Sequence, residues 1–192
     1  MVLGKGARRV EVLRARSSLS PLALAAAERA VTRCALEARE RFPTGRLAAY
    51  VSGGTEPGTR ELLAELPEVL LPVLLPDGDL DWAVHDGVLV AGRHGLLEPA
   101  GPRLGRDAVA DCGLVLVPAL SVDRRGVRLG RGGGSYDRAL ARTAGRVVAA
   151  LHVGELVEQL AAEPHDRPVH AVVLPDEGLV ELPRPSPGEM TS

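Results

Sequence analysis

Four short apolar runs constrain this chain more than any other feature: Leu47 to Val51, Gly113 to Val117, Arg146 to Leu151 and Val169 to Leu174. Within each run the apolar residues follow one another instead of alternating with polar ones. A strand with one wet face alternates, so an unbroken apolar strand must be covered on both faces. Stretches of helical character separate the runs. That order predicts an α/β protein, a single three-layer domain whose mainly parallel open sheet is flanked by helices. The domain is expected over residues 1–180. Residues 181–192, with three prolines and little apolar content, are expected to form a frayed tail.

The stretches between the runs refine this layout. Arg8 to Arg16 reads as helix. Ser20 then offers an N-cap with Pro21 at the first helical position, and Ala-rich sequence continues to Phe42 before Pro43 and Gly45 stop it. Thr55 can cap a helix across Pro57 to Leu66. Pro72 interrupts Val69 to Leu75, which predicts at best an irregular or edge strand. Asp77 to Arg106, rich in Gly and Asp, predicts short strands and loops. Asp123 to Gly126 fits a type I turn, and Tyr136 to about Thr143 a further helix.

Composition removes several function classes. With 25 acidic residues against 23 basic ones and a net charge of -2, the chain lacks the imbalance of a dedicated nucleic-acid binder. Its longest runs without charge, Ser17 to Ala27 and Cys112 to Val122, are 11 residues each. A membrane-spanning helix needs ~20, so no membrane segment is expected. Glu11, Arg14 and Arg16 stand where a signal peptide would need its apolar stretch. Cys34 and Cys112 form no CxxC, which predicts buried thiols in a cytoplasmic protein. His85, His94 and His152 have no metal-ligand spacing and read as structural or exposed, and Trp82 reads as packing. Of the 23 basic residues only Lys5 is lysine, a bias that fits a GC-rich coding sequence.

Chemistry concentrates in Arg128-Leu129-Gly130-Arg131-Gly132-Gly133-Gly134-Ser135-Tyr136-Asp137. The glycines let backbone N–H groups approach a ligand closely, and Arg128 and Arg131 add full charges; together they suit a phosphate. Asp137 is discordant beside phosphate oxygens unless a Mg2+ ion bridges the two. Read from residue type alone, the segment is equally a flexible turn in which Ser135 or Asp137 caps a helix. Neither GxxxxGK[ST] nor GxGxxG is present.

The stretch from Asp111 through Val117-Pro118-Ala-Leu-Ser-Val-Asp123 to Arg128-Leu-Gly-Arg-Gly-Gly-Gly-Ser-Tyr-Asp137 resembles the signature of the 5-formyltetrahydrofolate cyclo-ligase family, and similarity extends from Lys5 to about Leu174. The resemblance implies a fold like that of sugar-phosphate isomerases and CoA-transferases. It implies ATP-dependent closure of 5-formyltetrahydrofolate to 5,10-methenyltetrahydrofolate by a monomeric enzyme without nucleic-acid or membrane partners. By the same resemblance, Lys5, Gly6, Ala7, Arg8 and Arg9 contact ATP, and Val51 and Glu56 contact the folate. Arg128 to Tyr136 contact ATP, Arg131 to Ser135 also the folate, with Arg131 catalytic, and Asp137 and Asp166 hold Mg2+. Otherwise Lys5 and Arg9 would be a solvated basic terminus and Glu56 a first-turn acid. The chain departs from the family pattern at Ser121, Ser135, His170 and Leu174, which bears on the folate pocket and the metal shell. The alternatives are a sugar-phosphate isomerase or CoA-transferase-like enzyme, and a non-catalytic folate- or nucleotide-binding module.

Overall fold

A computed structural model describes residues 4–41, 45–66, 68–163 and 166–183. The chain runs α1 (Lys5–Arg16), α2 (Pro21–Arg41), β1 (Arg46–Ala48), α3 (Arg60–Glu65), β2 (Leu70–Leu74), β3 (Leu80–Val84), β4 (Leu89–Ala91), β5 (Leu97–Pro99), β6 (Cys112–Pro118), β7 (Ser121–Asp123), β8 (Arg128–Leu129), α4 (Ser135–Leu140), β9 (Arg146–Ala150), β10 (Leu156–Val157), β11 (Ala171–Leu174) and β12 (Gly178–Glu181). Short 3-10 turns occupy Arg93–Gly95 and Arg106–Asp111.

Seven strands form the central sheet in the order β12-β11-β9-β6-β1-β2-β3. The inner pairs are all parallel, and an antiparallel strand closes each edge. Strand β6 shows why the apolar runs are unbroken. Its Leu114 and Leu116 pack under α2 and α3 with Val31, Cys34, Ala35, Leu62 and Leu63. Its Val115 and Val117 face the other way, onto Trp82, Val109, Ala139 and Leu140. Burial of both faces is the expected three-layer α/β arrangement. A smaller cluster of Val12, Leu120, Val127, Leu129 and Leu160 fastens α1 to a second sheet of order β10-β7-β8.

Local expectations hold at several points. The Ser20 hydroxyl accepts the Ala23 N–H at 3.2 Å and caps α2, and Gly126 N–H bonds Asp123 O at 2.9 Å in the turn. Trp82 is 1% exposed, Cys34 and Cys112 are buried free thiols, and burial pushes the Cys112 thiol up to about 11. No described helix is long and apolar enough to cross a membrane.

Other points differ. Helix α3 starts at Arg60, because Thr59, not Thr55, is its N-cap residue. The Thr59 hydroxyl instead donates to Tyr50 O at 2.8 Å. Strand β2 is regular and second from the edge. It tolerates Pro72 because β1 pairs with it only through Ala48 and Leu70, so Pro72 lies beyond the β1 ladder. Glu181, expected to open the tail, belongs to β12, and Leu182 is buried. The expected end of α2 at Phe42 and Pro43, and residues 184–192 of the tail, lie outside the described residues.

Candidate active site

Strands β1 and β6 are neighbours, but the chain leaves them in opposite directions across the sheet, β1 toward β2 and β6 toward β9. Ligands in open α/β sheets bind at such switch points, outside the carboxyl ends of the strands. A cavity of about 410 Å3 opens there, within the range of small-molecule sites. The segments after the two strand ends, Tyr50-Val51 and Ala119-Leu120, form part of its wall.

Three segments distant in sequence supply most of its polar lining. Lys5 and Arg9 come from the first turns of α1, Val51 and Glu56 from the loop after β1, and Arg128 to Asp137 from β8 and the glycine loop; Asp166 also lines it. Gly6, Ala7 and Arg8 do not. Gly6 and Ala7 are exposed, and Arg8 turns away to Ser121 Oγ, Gly154 O and Glu11 at 3.4, 3.1 and 3.0 Å.

The glycine loop has a conformation that side chains would oppose. Gly132 has φ +102° and Gly134 φ +69°, and a Cβ on Gly134 would lie 2.9 Å from an Arg138 nitrogen. Arg9 crosses to this loop and donates from Nε to Gly130 O at 2.9 Å. Neither Ser135 nor Asp137 caps α4, whose N-cap is Gly134 with no side-chain cap bond. That removes the simple-cap reading of the loop.

Cations and carboxylates are paired across the cavity. Lys5 Nζ donates to Glu163 at 2.6 Å and to Asp166 Oδ2 at 2.8 Å. Burial pulls the Lys5 ammonium down, but these carboxylates outweigh it and leave the amine raised above its ordinary value. Arg128 donates to Asp137 at 2.7 Å with its side chain 4% exposed, and its Nε is buried without a protein partner. Its guanidinium lies 5.7 Å from the centre of the Tyr136 ring. Burial pushes the Tyr136 phenol far above its ordinary value. Arg131, more than half exposed at the mouth, donates to Glu56 at 3.2 Å.

Of the departing residues, only Ser135 lines the cavity. Ser121 donates its hydroxyl to Glu155 O at 2.5 Å. The His170 ring accepts the Val147 N–H at 2.9 Å, and Leu174 is core. The cavity also has lining that residue patterns did not announce: Tyr50, Arg16 and an apolar wall of Pro72, Leu74, Leu80, Leu96 and Leu97. Arg16 was legible in one respect. Lys5, Arg9, Val12 and Arg16 recur at intervals of four, three and four, the spacing of one helix face. The apolar wall had no such signal, since its residues gather from β2, β3 and the Leu96-Leu97 step into β5.

Fold and cavity together define an open α/β protein with a small-molecule site where basic groups and a glycine loop meet a carboxylate-lined wall. The chain matches the sequence model of the 5-formyltetrahydrofolate cyclo-ligase family over residues 3–175. It is 43% identical to the 5-formyltetrahydrofolate cyclo-ligase of Mycolicibacterium smegmatis over 71% of this chain and 76% of that one. It is 28% identical to the Haemophilus influenzae enzyme of the same name over 86% and 95%. An NMR structure of Aquifex aeolicus 5,10-methenyltetrahydrofolate synthetase superposes with TM-score 0.78 at 25% identity, covering 95% of this chain and 94% of that one. This chain belongs to the 5-formyltetrahydrofolate cyclo-ligase family.

Proposed function

We propose that the protein closes 5-formyltetrahydrofolate to 5,10-methenyltetrahydrofolate at the expense of ATP, releasing ADP and phosphate. The observation that carries the detailed reading is convergence. Lys5 and Arg9, Val51 and Glu56, and Arg128 to Asp137 meet in one cavity, and family resemblance had assigned these same segments to nucleotide, folate and both. The isomerase, transferase and non-catalytic alternatives have no support among the relatives above.

The chemistry follows from a poor leaving group. The formyl oxygen attacks the terminal phosphorus of ATP and ADP departs, leaving an activated carbon held between N5 and the phosphorylated oxygen. N10 attacks that carbon and loses its proton. The carbon–oxygen bond then breaks, phosphate carries away the electron pair, and the N5–C–N10 amidinium of the closed ring remains. No protein nucleophile is needed. The protein positions two ligands and balances the charge of the transferring group.

In this reading Lys5, Arg9, Arg128 and the N–H groups of Gly130 to Gly134 receive the phosphates, and the buried, unpartnered Arg128 Nε supports an incoming anion. Arg131 serves as the catalytic cation beside the transferring phosphoryl group, and its place at the mouth lets it swing there from Glu56. Glu56 and Val51 hold the pterin, with the apolar wall against the folate body.

Asp137 and Asp166 fit a Mg2+ ion by donor type. Such an ion is typically held by one or two carboxylates together with substrate phosphates. When bound, Mg2+ would neutralise phosphate charge, and Asp137 and Asp166 would release Arg128 and Lys5 to the nucleotide.

The test is absorbance of methenyltetrahydrofolate as protein, 5-formyltetrahydrofolate and Mg-ATP are combined. A rise that requires ATP is expected. No ATP-dependent product would overturn the proposal.

A further inference from the structure

A further polar group on the cavity wall, Arg16, leads to a buried chain of contacts. Arg16 is 2% exposed and Glu155 6%. Glu155 takes Arg16 Nε on one carboxylate oxygen and Nη2 on the other, both at 2.7 Å. The second oxygen also accepts the His152 backbone N–H at 2.8 Å. Arg16 Nη2 further donates to Ala119 O at 2.6 Å, on the wall just beyond β6. The His152 ring bonds Thr55 O at 2.9 Å. A carbonyl only accepts, so Nε2 carries the proton. Burial lowers the ring's pKa, which favours the neutral form over the imidazolium.

The contacts therefore run from one half-site to the other. Helix α1 carries Lys5 and Arg9 at one end and Arg16 at the other, 12 residues of continuous helix. Thr55 directly precedes Glu56, whose carboxylate is held in the cavity by Gly53 N–H at 3.0 Å and by Arg131. Stability alone does not explain this arrangement. A buried ion pair costs desolvation that its attraction barely offsets, and apolar residues of similar size often serve the fold as well. A bidentate arginine does fix relative position and angle, which apolar packing does less sharply.

We propose that His152 and Glu155 are positioning residues. His152 sets the folate-side loop through Thr55, while Glu155 ties that loop and the nucleotide-side helix to the same wall. The inference rests on the half-site assignment made above.

The experiment measures half-saturating concentrations for 5-formyltetrahydrofolate and ATP separately. His152→Ala should raise the folate value about tenfold, the usual effect of one lost hydrogen bond. Its ATP value should stay within about twofold. His152→Gln, whose amide nitrogen reaches as far as Nε2, should recover most of the loss. Glu155→Gln should raise both values. Equal rises in both values for His152→Ala, no rise in either, or failure of His152→Gln to recover would each overturn the role of His152. A Glu155→Gln protein that keeps the wild-type melting temperature yet spares either value would overturn that of Glu155. Lys5→Ala and Glu56→Gln run alongside. If Lys5→Ala spares ATP, or Glu56→Gln spares the folate, the half-site assignment falls. If both act as assigned and His152→Ala does nothing, only the positioning role falls.

Discussion

Lys5 is the sole lysine of a chain that otherwise uses arginine, and its surroundings give that a physical reason. Its ammonium fits between Glu163 and Asp166 at 2.6 and 2.8 Å, a place suited to a compact charge and poorly to a planar fork. Lys5→Ala should raise the half-saturating ATP concentration about 10- to 100-fold, the range for losing a charge-assisted bond, and leave the folate value within about twofold. Lys5→Arg should fall between wild type and Lys5→Ala. Steady-state assays over both substrates check this, and equal changes in both would point to misfolding. Asp137 calls for a paired test, because it also balances the buried Arg128. Asp137→Ala should lose both turnover and stability, since it strands a buried guanidinium. Asp137→Asn keeps an acceptor for Arg128, so it should keep the melting temperature near wild type yet lose turnover that added Mg2+ does not restore. Full activity in Asp137→Asn would exclude the metal-binding role.

At the scale of elements, the glycine loop and the β2–β3 turn each make a separable prediction. Gly132 and Gly134 hold positive φ, whereas Gly133 does not, and a Cβ there would meet nothing closer than 3.6 Å. Gly132→Ala and Gly134→Ala should each cost about 1–2 kcal/mol in urea denaturation, and Gly133→Ala less than about 0.5. Equal costs at all three would mean that the left-handed backbone is not what selects glycine. The β2–β3 turn is fastened by Asp79, 3% exposed, which accepts Arg142 at 2.6 Å and Arg106 at 3.1 Å. The Arg142 bond holds its carboxyl down at about 2 against an ordinary 3.8. A depressed carboxyl contributes stability above its unfolded value and loses it as pH falls through the folded one. The melting-temperature gap between wild type and Asp79→Asn should therefore be constant above about pH 4 and close toward pH 2. A gap that ignores pH would show that the charge contributes nothing there.

For the whole molecule, what the residues announced and what they hid divide along physical lines. The parallel strands were legible because burial on both faces forces unbroken apolar runs, as in Gly113 to Val117. The loop cations were legible because phosphate chemistry restricts residue type, whereas Lys5 and Arg9 were marked only by family resemblance and would otherwise read as a solvated basic terminus. Edge strands β3 and β12 were not singled out, since a half-covered strand such as Leu80–Val84 carries a polar residue among its apolar ones. Pro72 misled because propensity cannot tell where a neighbouring strand stops. The apolar wall and the Arg16–Glu155 pair exist only after residues far apart in sequence are brought together.

The ion pairs of the cavity have one consequence for how it fills. Its described lining carries five cations, Lys5, Arg9, Arg16, Arg128 and Arg131, and five carboxylates, Glu56, Glu98, Asp137, Glu163 and Asp166, a formal sum of zero. Such a surface projects little field into solvent, so it does not draw nucleotides in from a distance. With the ligands bound as proposed, capture would be a swap of partners at close range, phosphates taking the cations while a divalent ion and the pterin take the carboxylates. A lone sulfate or phosphate satisfies only one side of that exchange and should compete weakly. Nucleotide affinity should accordingly change less than about threefold as salt rises through the physiological range. A steep decline would reveal cations that meet phosphate with nothing to give up.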